Sequence, residues 1–339
     1  MIQSYYYHQS SLVLYFKSPV SKYTSNPLPH PKTSFTMTNP TVFVCGATGA
    51  QGGRLAHRLR AIGWGVHTTV RDPTSTTAQS LQSIGVETTP GDWNNEAALA
   101  HSLAGCQMLF LNLYPTLHDI PLELHQAQTL LRLARAAHIQ HVVYTSSIPL
   151  PTTDPTSLPA LARASKRHIE AATRTSGIPA WTILRPAFFM TNFVRPNVDR
   201  LFPGASTTGE FTLALRPDTP LSLIDPDDIA QFAVAAFRAP GRFHGQVVDL
   251  AGEVKPMGEV LGVLARVVGK GVRGRYLGEE EVEGRKGVEV FLSGQLDLRE
   301  AVSVDVGRVR TWGVEMGTLE GFLERERRAV EETYGGLEC

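Results

Sequence analysis

The chain has 339 residues, with 32 Lys and Arg against 32 Asp and Glu and 42% hydrophobic residues. That length supplies a core for one large domain or two joined ones, and the balanced charge excludes the basic field of a nucleic-acid or anionic-membrane binder. Cys45, Cys106 and Cys339 lack metal or redox spacing and no apolar run reaches membrane-span length, so a reducing, cytoplasmic setting is expected, or a nuclear one for a regulator.

Residues 1–36 are rich in Tyr, Ser and Pro and contain no acid. Their apolar run Leu12–Phe16 is too short for a secretory signal, and the lack of arginine argues against a mitochondrial one. They read as a disordered extension, or as an upstream start mis-joined to a domain that begins near Met37. Thr41–Cys45 is a β-branched, apolar strand, and Gly46, Gly49 and Gly52 follow at three-residue spacing. Leu55, Leu59 and Ile62 mark one face of a helix that stops at Gly63. Strands at Gly65–Val70, Val86–Thr89, Met108–Asn112 and His141–Thr145 then alternate with helices at Thr76–Ile84, Glu96–Leu103 and Pro121–Ala137. A helix over Pro159–Ser176 carries Lys166, and Ala180–Leu184 is a sixth strand, closed by Arg185-Pro186.

The pattern loosens beyond that point. Short strands are expected at Glu210–Leu215 and Leu221–Ile224, and Asp225-Pro226 caps a helix that runs to about Ala239. Val247–Leu250 is a further strand, and the rest mixes helices with an isolated strand near Arg273–Leu277. Alternation of this kind predicts an α/β fold, a doubly wound parallel sheet with a smaller interleaved α/β lobe on the substrate side. Residues 37–185 form the dinucleotide-binding part, to which 225–251 return; 186–224 and 252–339 form the smaller lobe.

A buried strand, a glycine turn and a helix in succession make an anion site, because glycines let the backbone approach a pyrophosphate and free amides at the helix start meet its charge. An acid at the end of the second strand would hold ribose hydroxyls, whereas an arginine would hold a 2′-phosphate. Here the position reads Val70-Arg71, so NADP(H) is the expected cofactor, although Asp72 next to it leaves NAD open. Other chemistries lack their motifs. There is no GxSxG elbow, Gly269-Lys270 is followed by Gly271 where a phosphate loop needs Ser or Thr, and His138 and His141 do not share a face, so no metal site is expected.

Gly46-Ala-Thr-Gly-Ala-Gln-Gly-Gly53, Val70-Arg-Asp-Pro73, Gly91-Asp92, Val142-Val-Tyr-Thr-Ser-Ser147, Lys166, Leu184-Arg-Pro-Ala-Phe-Phe-Met-Thr-Asn192 and Asp225-Pro-Asp-Asp-Ile229 together resemble the NmrA-like family of atypical short-chain dehydrogenases. The resemblance spans about Pro40 to Leu323. It implies a Rossmann fold that binds NADP(H), and either a reductase or a catalytically silent, cofactor-sensing regulator with a protein partner. It also implies that Thr48, Gly49, Ala50, Gln51 and Gly52 contact the pyrophosphate, Arg71 the adenosine phosphate, and Asp92 and Trp93 the adenine. Asn112, Tyr114 and Thr145–Ser147 would flank the nicotinamide, Lys166 would reach its ribose, and Pro186, Phe188 and Phe189 would pass over the ring.

One departure matters. A full short-chain dehydrogenase has Tyr four residues before its Lys, on the same helical face, and here that position is Ala162. The catalytic candidates left are Ser147, as a polarising hydroxyl, and Lys166. As an acid or base the lysine must come down from ~10.4 toward the working pH; otherwise it only holds ribose. Phe188, Phe189, Met190, Asn192 and Phe193 could floor a pocket for a small-molecule substrate or be core. The expected function is NADP-dependent reduction of a small organic carbonyl, enone or imine.

Overall fold

In the computed structural model, which describes residues 39–285 and 290–337, the first half of the chain is a regular strand–helix alternation; the expectations for residues 1–36 and Cys339 lie outside the described residues. The elements are β1 (Thr41–Val44), α1 (Ala50–Ala61), β2 (Gly65–Val70), α2 (Thr76–Ser83), β3 (Glu87–Pro90), α3 (Glu96–Leu103), β4 (Met108–Leu111), α4 (Ile120–Ala136), β5 (His141–Thr145), α5 (Leu158–Arg174) and β6 (Ala180–Pro186). Next come β7 (Phe188–Phe189), a single 3₁₀ turn at Met190–Phe193, α6 (Asn197–Leu201), α7 (Ala205–Thr208), β8 (Glu210–Leu213), β9 (Pro220–Ile224), α8 (Pro226–Arg238), α9 (Pro240–Phe243) and β10 (Gln246–Leu250). The chain continues through β11 (Glu253–Pro256), α10 (Met257–Val268), β12 (Arg273–Tyr276), α11 (Glu279–Arg285), α12 (Val290–Arg299), α13 (Val306–Arg310), α14 (Leu319–Arg325) and α15 (Arg327–Tyr334).

Seven strands form one sheet in the order β10-β6-β5-β4-β1-β2-β3, and every neighbouring pair is parallel. This is the doubly wound architecture, with the order reversing between β1 and β4. Side chains alternate along β1: Val42 and Val44 join the core formed with Leu55, Leu59 and Phe232, while Phe43 and Cys45 join the core formed with Leu103, Leu130 and Ile169. Burial on both faces explains why the strand reads as an unbroken apolar run. Ser75, Asn95, Ser157 and Asp225 cap α2, α3, α5 and α8 by accepting a first-turn amide, each cap contributing about 1 kcal/mol.

The later elements build a second apolar cluster around Phe193, Phe211, Leu223, Leu264 and Phe322. There β7, β9 and β11 make a three-stranded sheet. The strand expected to stand alone near Arg273–Leu277 is instead paired in parallel with β8, with Arg273 opposite Glu210, so its backbone groups are satisfied by a strand far upstream. Two ties fix this region to the parallel sheet. Asp297 of α12 is fully buried, accepts from the Thr153 amide and hydroxyl at 2.7 Å each, and pairs with Arg163 of α5. On the other side, α1 is clamped to α8 by Arg58–Asp227 and to the end of α14 by Arg54–Glu326 at 2.7 Å. Among the described residues no helix is long and apolar enough to cross a membrane.

Candidate functional site

At the carboxyl ends of the parallel strands lies a cleft of about 930 Å³, lined from the glycine turn at one end to α6 and α12 at the other. A volume at the top of the usual range for ligand sites suits a long ligand. The turn after β1 needs its glycines for two separate reasons. Gly46 has φ +70°, and a Cβ there would come within 3.2 Å of the Asn112 carbonyl. Gly52 lies in the first turn of α1, where a Cβ would stand 2.4 Å from the Gly46 carbonyl oxygen. Any side chain at Gly52 would therefore lift α1 off the turn. Gly49 is the N-cap of α1; it offers no side chain to the first-turn amides, and that turn carries no acid, so the positive helix end is left for an anion.

Gly46, Thr48, Gly49, Ala50 and Gln51 line the cleft, whereas Gly52 is buried behind them and acts through packing. Gln51 donates to the Asn112 Oδ1 at 3.2 Å, and Thr145 donates to the same oxygen at 3.1 Å. These bonds tie the ends of β4 and β5 to the turn. The Gln51 Oε1 is buried with no partner among the described residues. A buried acceptor left open at the turn is what a ligand donor would satisfy. Trp93 packs beside Gly46, and Asp92 accepts the Asn94 amide at 2.9 Å.

At the end of β2 the two candidate ribose-end groups separate. Arg71 is exposed, lines the cleft and makes no ion pair among the described residues. Asp72 turns away to accept from the Thr74 hydroxyl and amide, at 2.6 and 2.8 Å, and these bonds hold its carboxyl below the usual range. The end of β2 thus offers the Arg71 cation and not the Asp72 carboxylate, while Asp92 lines the cleft after the neighbouring β3.

At the other end, Lys166 of α5 donates to Glu123 of α4 at 2.8 Å; the lysine side chain is 15% exposed and the glutamate is fully buried. Lys166 reaches the cleft as half of an ion pair, and the Glu123 Oε2 has no partner among the described residues. Glu123 was not legible as a site residue because a glutamate on a helix ordinarily faces water. A signal was present, since Glu123 precedes Ala127, Leu130 and Ala134 on the buried stripe of α4. Ser147 also lines the cleft, and its loop is held by Arg167, which donates to the Ser147 carbonyl. Arg167 is anchored in turn by Glu170, together with Arg174, Arg185 and the Ser146 hydroxyl. Burial would raise the Glu170 carboxyl, but the bonds from Arg185 and Ser146 and the charges of Arg167 and Arg185 outweigh it, bringing it down to about 2.

Asn112, Tyr114, Thr145, Pro186, Phe188 and Phe189 also line it, so apart from Gly52 the residues expected at the cofactor and at the catalytic step share one cleft. The aromatic stretch divides: Phe188, Phe189 and Asn192 line the cleft, while Met190 and Phe193 are fully buried in the second cluster. Arg163, Arg200, Phe291 and Gln295 also line the cleft and were not anticipated, because long-range folding alone brings them here. Among the described residues no group of His, Cys, Asp and Glu could hold a metal ion. The thiols of Cys45 and Cys106 are both pushed up to about 12, chiefly by burial.

Residues 38–297 match the model of the NmrA-like family. A (4-alkanoyl-5-oxo-2,5-dihydrofuran-3-yl)methyl phosphate reductase of Streptomyces griseus is 32% identical over 238 residues, 70% of this chain and 77% of that protein. An NAD(P)H azoreductase of Xenophilus azovorans is 27% identical over 233 residues, 68% of this chain and 75% of the relative. The crystal structure of NmrA, a negative transcriptional regulator in complex with NAD, superposes with a TM-score of 0.69 at 21% identity, over 88% of this chain and 98% of NmrA, a likeness of fold alone. The parallel sheet, the glycine turn beneath its helix and the matched span together place this chain in the NmrA-like family.

Proposed function

We propose that the chain is an NADPH-dependent oxidoreductase that reduces a small, conjugated organic acceptor such as an enone, a quinone-type carbonyl or an imine. The observation that carries this is the continuity of one cleft. It joins an anion-binding glycine turn and an unpaired Arg71 to Lys166, Ser147 and an apolar wall at Phe188 and Phe189. Relatives that are themselves named reductase and NAD(P)H azoreductase support the class of reaction.

The residues present fit a dinucleotide. First-turn amides of α1 and the Thr48 hydroxyl bind its pyrophosphate, the open Gln51 Oε1 accepts one of its donors, and Arg71 makes charge-assisted bonds to a 2′-phosphate. When bound, the reduced nicotinamide supplies a hydride. Glu123 holds the Lys166 ammonium, whose remaining donors would be available to ribose hydroxyls, and the Ser147 hydroxyl would donate to the polar atom of the acceptor. No tyrosine lies on α5 to pass a proton, so the proton comes from Lys166 or from water rather than from a phenol on that helix. That favours acceptors whose reduced anion is delocalised, because they need no strong acid in the transition state.

The absent tyrosine also keeps a second reading in view, a regulator that binds NADPH without turning it over. Following NADPH consumption by absorbance with naphthoquinone, cyclohexenone and acetophenone separates the two. Turnover of the conjugated acceptors, with acetophenone at least tenfold slower, is expected of the reductase. Saturable NADPH binding with no consumption across the panel would contradict it and leave the regulator.

A further inference from the structure

Beyond Lys166 the cleft is also walled by Arg200, Phe291 and Leu298, to which no cofactor role is assigned, and the charges that line the cleft do not cancel. Four cations line the cleft as a whole, Arg71, Arg163, Lys166 and Arg200, against a single lining carboxylate, Asp92, which stands after β3 with Arg71 on the glycine-turn side. At the α6 and α12 end, two of the cations are neutralised from behind. Arg163 is paired with Asp297 and Lys166 with Glu123, and both carboxylates are fully buried. Arg200 of α6 is different. Its Nη1 donates at 3.0 Å to the hydroxyl of Tyr114, a neutral group, and it makes no ion pair among the described residues. Tyr114 itself is 59% exposed, an unusual state for an aromatic ring on a cleft wall.

The cleft that Arg200 lines carries both apolar side chains and amides, among them Asn192, Asn197 and Gln295. Phe188, Phe291 and Leu298 line the same end, and Thr191, also in the lining, has a buried hydroxyl with no partner among the described residues. An exposed cation on the wall of a partly apolar cleft, with no carboxylate paired to it among the described residues, is arranged to receive an anionic group while Phe188, Phe291 and Leu298 take a flat hydrocarbon body.

Resting on the reductase reading, which supplies the reaction, we propose that the substrate is an organic anion: an aromatic or conjugated body whose carboxylate, sulfonate or phosphate group is received by Arg200. The Tyr114 hydroxyl orients the guanidinium across the cleft mouth until the substrate takes its place. Arg200 touches substrate at the anionic group and not at the reacting atoms, so it sets which acceptor binds and leaves the hydride and proton steps to the other wall.

The test uses the full chain and two isosteric probes, naphthoate and naphthamide, titrated by calorimetry with and without NADPH. Wild type should bind naphthoate about tenfold more tightly than naphthamide, the scale of one charge-assisted contact. In Arg200→Ala that ratio should fall to about one, and Arg200→Lys should keep part of it. Arg200 is exposed, so equal melting temperatures are expected and guard against a folding artefact. A wild-type ratio near one overturns the proposal, as does a ratio that survives in Arg200→Ala. It is equally overturned if Arg200→Ala loses NADPH affinity and keeps its probe preference, since Arg200 would then serve the cofactor. Because calorimetry needs no turnover, a protein that shows the preference yet consumes no NADPH with naphthoquinone fails as a reductase and still binds organic anions as proposed.

Discussion

At the scale of single residues, the Lys166–Glu123 pair decides most. A carboxylate with no exposure is tolerable only with a cation on it, and the lysine is the partner at 2.8 Å. Removing the lysine should therefore destabilise the fold as well as weaken cofactor binding. Lys166→Ala is expected to cost on the order of 3 kcal/mol in urea unfolding, and adding Glu123→Gln should recover most of that by removing the stranded charge. Cofactor affinity should stay low in the double variant, because no ammonium remains to meet the ribose. If Lys166→Ala unfolds at the wild-type midpoint, the pair does not exist in the protein. Ser147 depends on a longer chain of contacts, through Arg167 to Glu170, whose low carboxyl value means that this support is present above pH ~4.5 and is lost only as pH falls toward about 2.

At the scale of elements, α1 and α8 carry the site without lining much of it. Helix α1 must sit close under the glycine turn, and Arg58–Asp227 and Arg54–Glu326 hold it there. Near these bridges Asp228 is buried in α8 and accepts the Gly317 amide at 3.1 and 3.0 Å. Burial raises its carboxyl to about 7, with the Gly317 bond and the Arg325 charge opposing and Asp225 and Asp227 adding to it. The folded value lies above the unfolded one, so the protonated form stabilises the fold, fully below pH ~4 and not at all once pH has risen past about 7. His141, brought down to about 4 by burial and by the charge of His244, acts in the opposite sense below pH ~6.5, so wild type alone would show a muted profile. The difference between variants is the sharper measure. Asp228→Asn should gain on wild type from about pH 4 to about pH 7 and hold that gain above, reaching the order of 2–4 kcal/mol, and a constant difference in melting temperature across that range would contradict it.

How far the elements could be read from sequence follows the same physics. Gly65–Val70, Glu96–Leu103 and His141–Thr145 are found where the periodicity and caps put them, since their signals are local. Phe188–Phe189 passed unnoticed because two residues carry no pattern, and Glu253–Pro256 because two charged residues and a proline hide its one apolar residue; both exist by pairing with β9. The site divides likewise. Gly46, Gly49, Arg71 and Lys166 stand in local motifs, whereas Asp297 and Arg200 acquire meaning only when α12 and α6 come over the sheet.

At the scale of the whole molecule, the strand order leaves a crevice at the carboxyl ends where it reverses between β1 and β4, and the later elements wall it on the other side. Everything functional converges on that crevice. In the proposed function the glycine turn would supply the phosphate-binding amides, Arg71 the discrimination between dinucleotides, and α5, α6 and α12 the acceptor end. The most direct test is a calorimetric titration of NADPH and NADH into wild type and Arg71→Ala. Saturable NADPH binding, at least tenfold tighter than NADH in wild type and no tighter than NADH in Arg71→Ala, is the predicted result. No heat and no rise in melting temperature with either dinucleotide at millimolar concentration would contradict the cleft's assignment as a cofactor site.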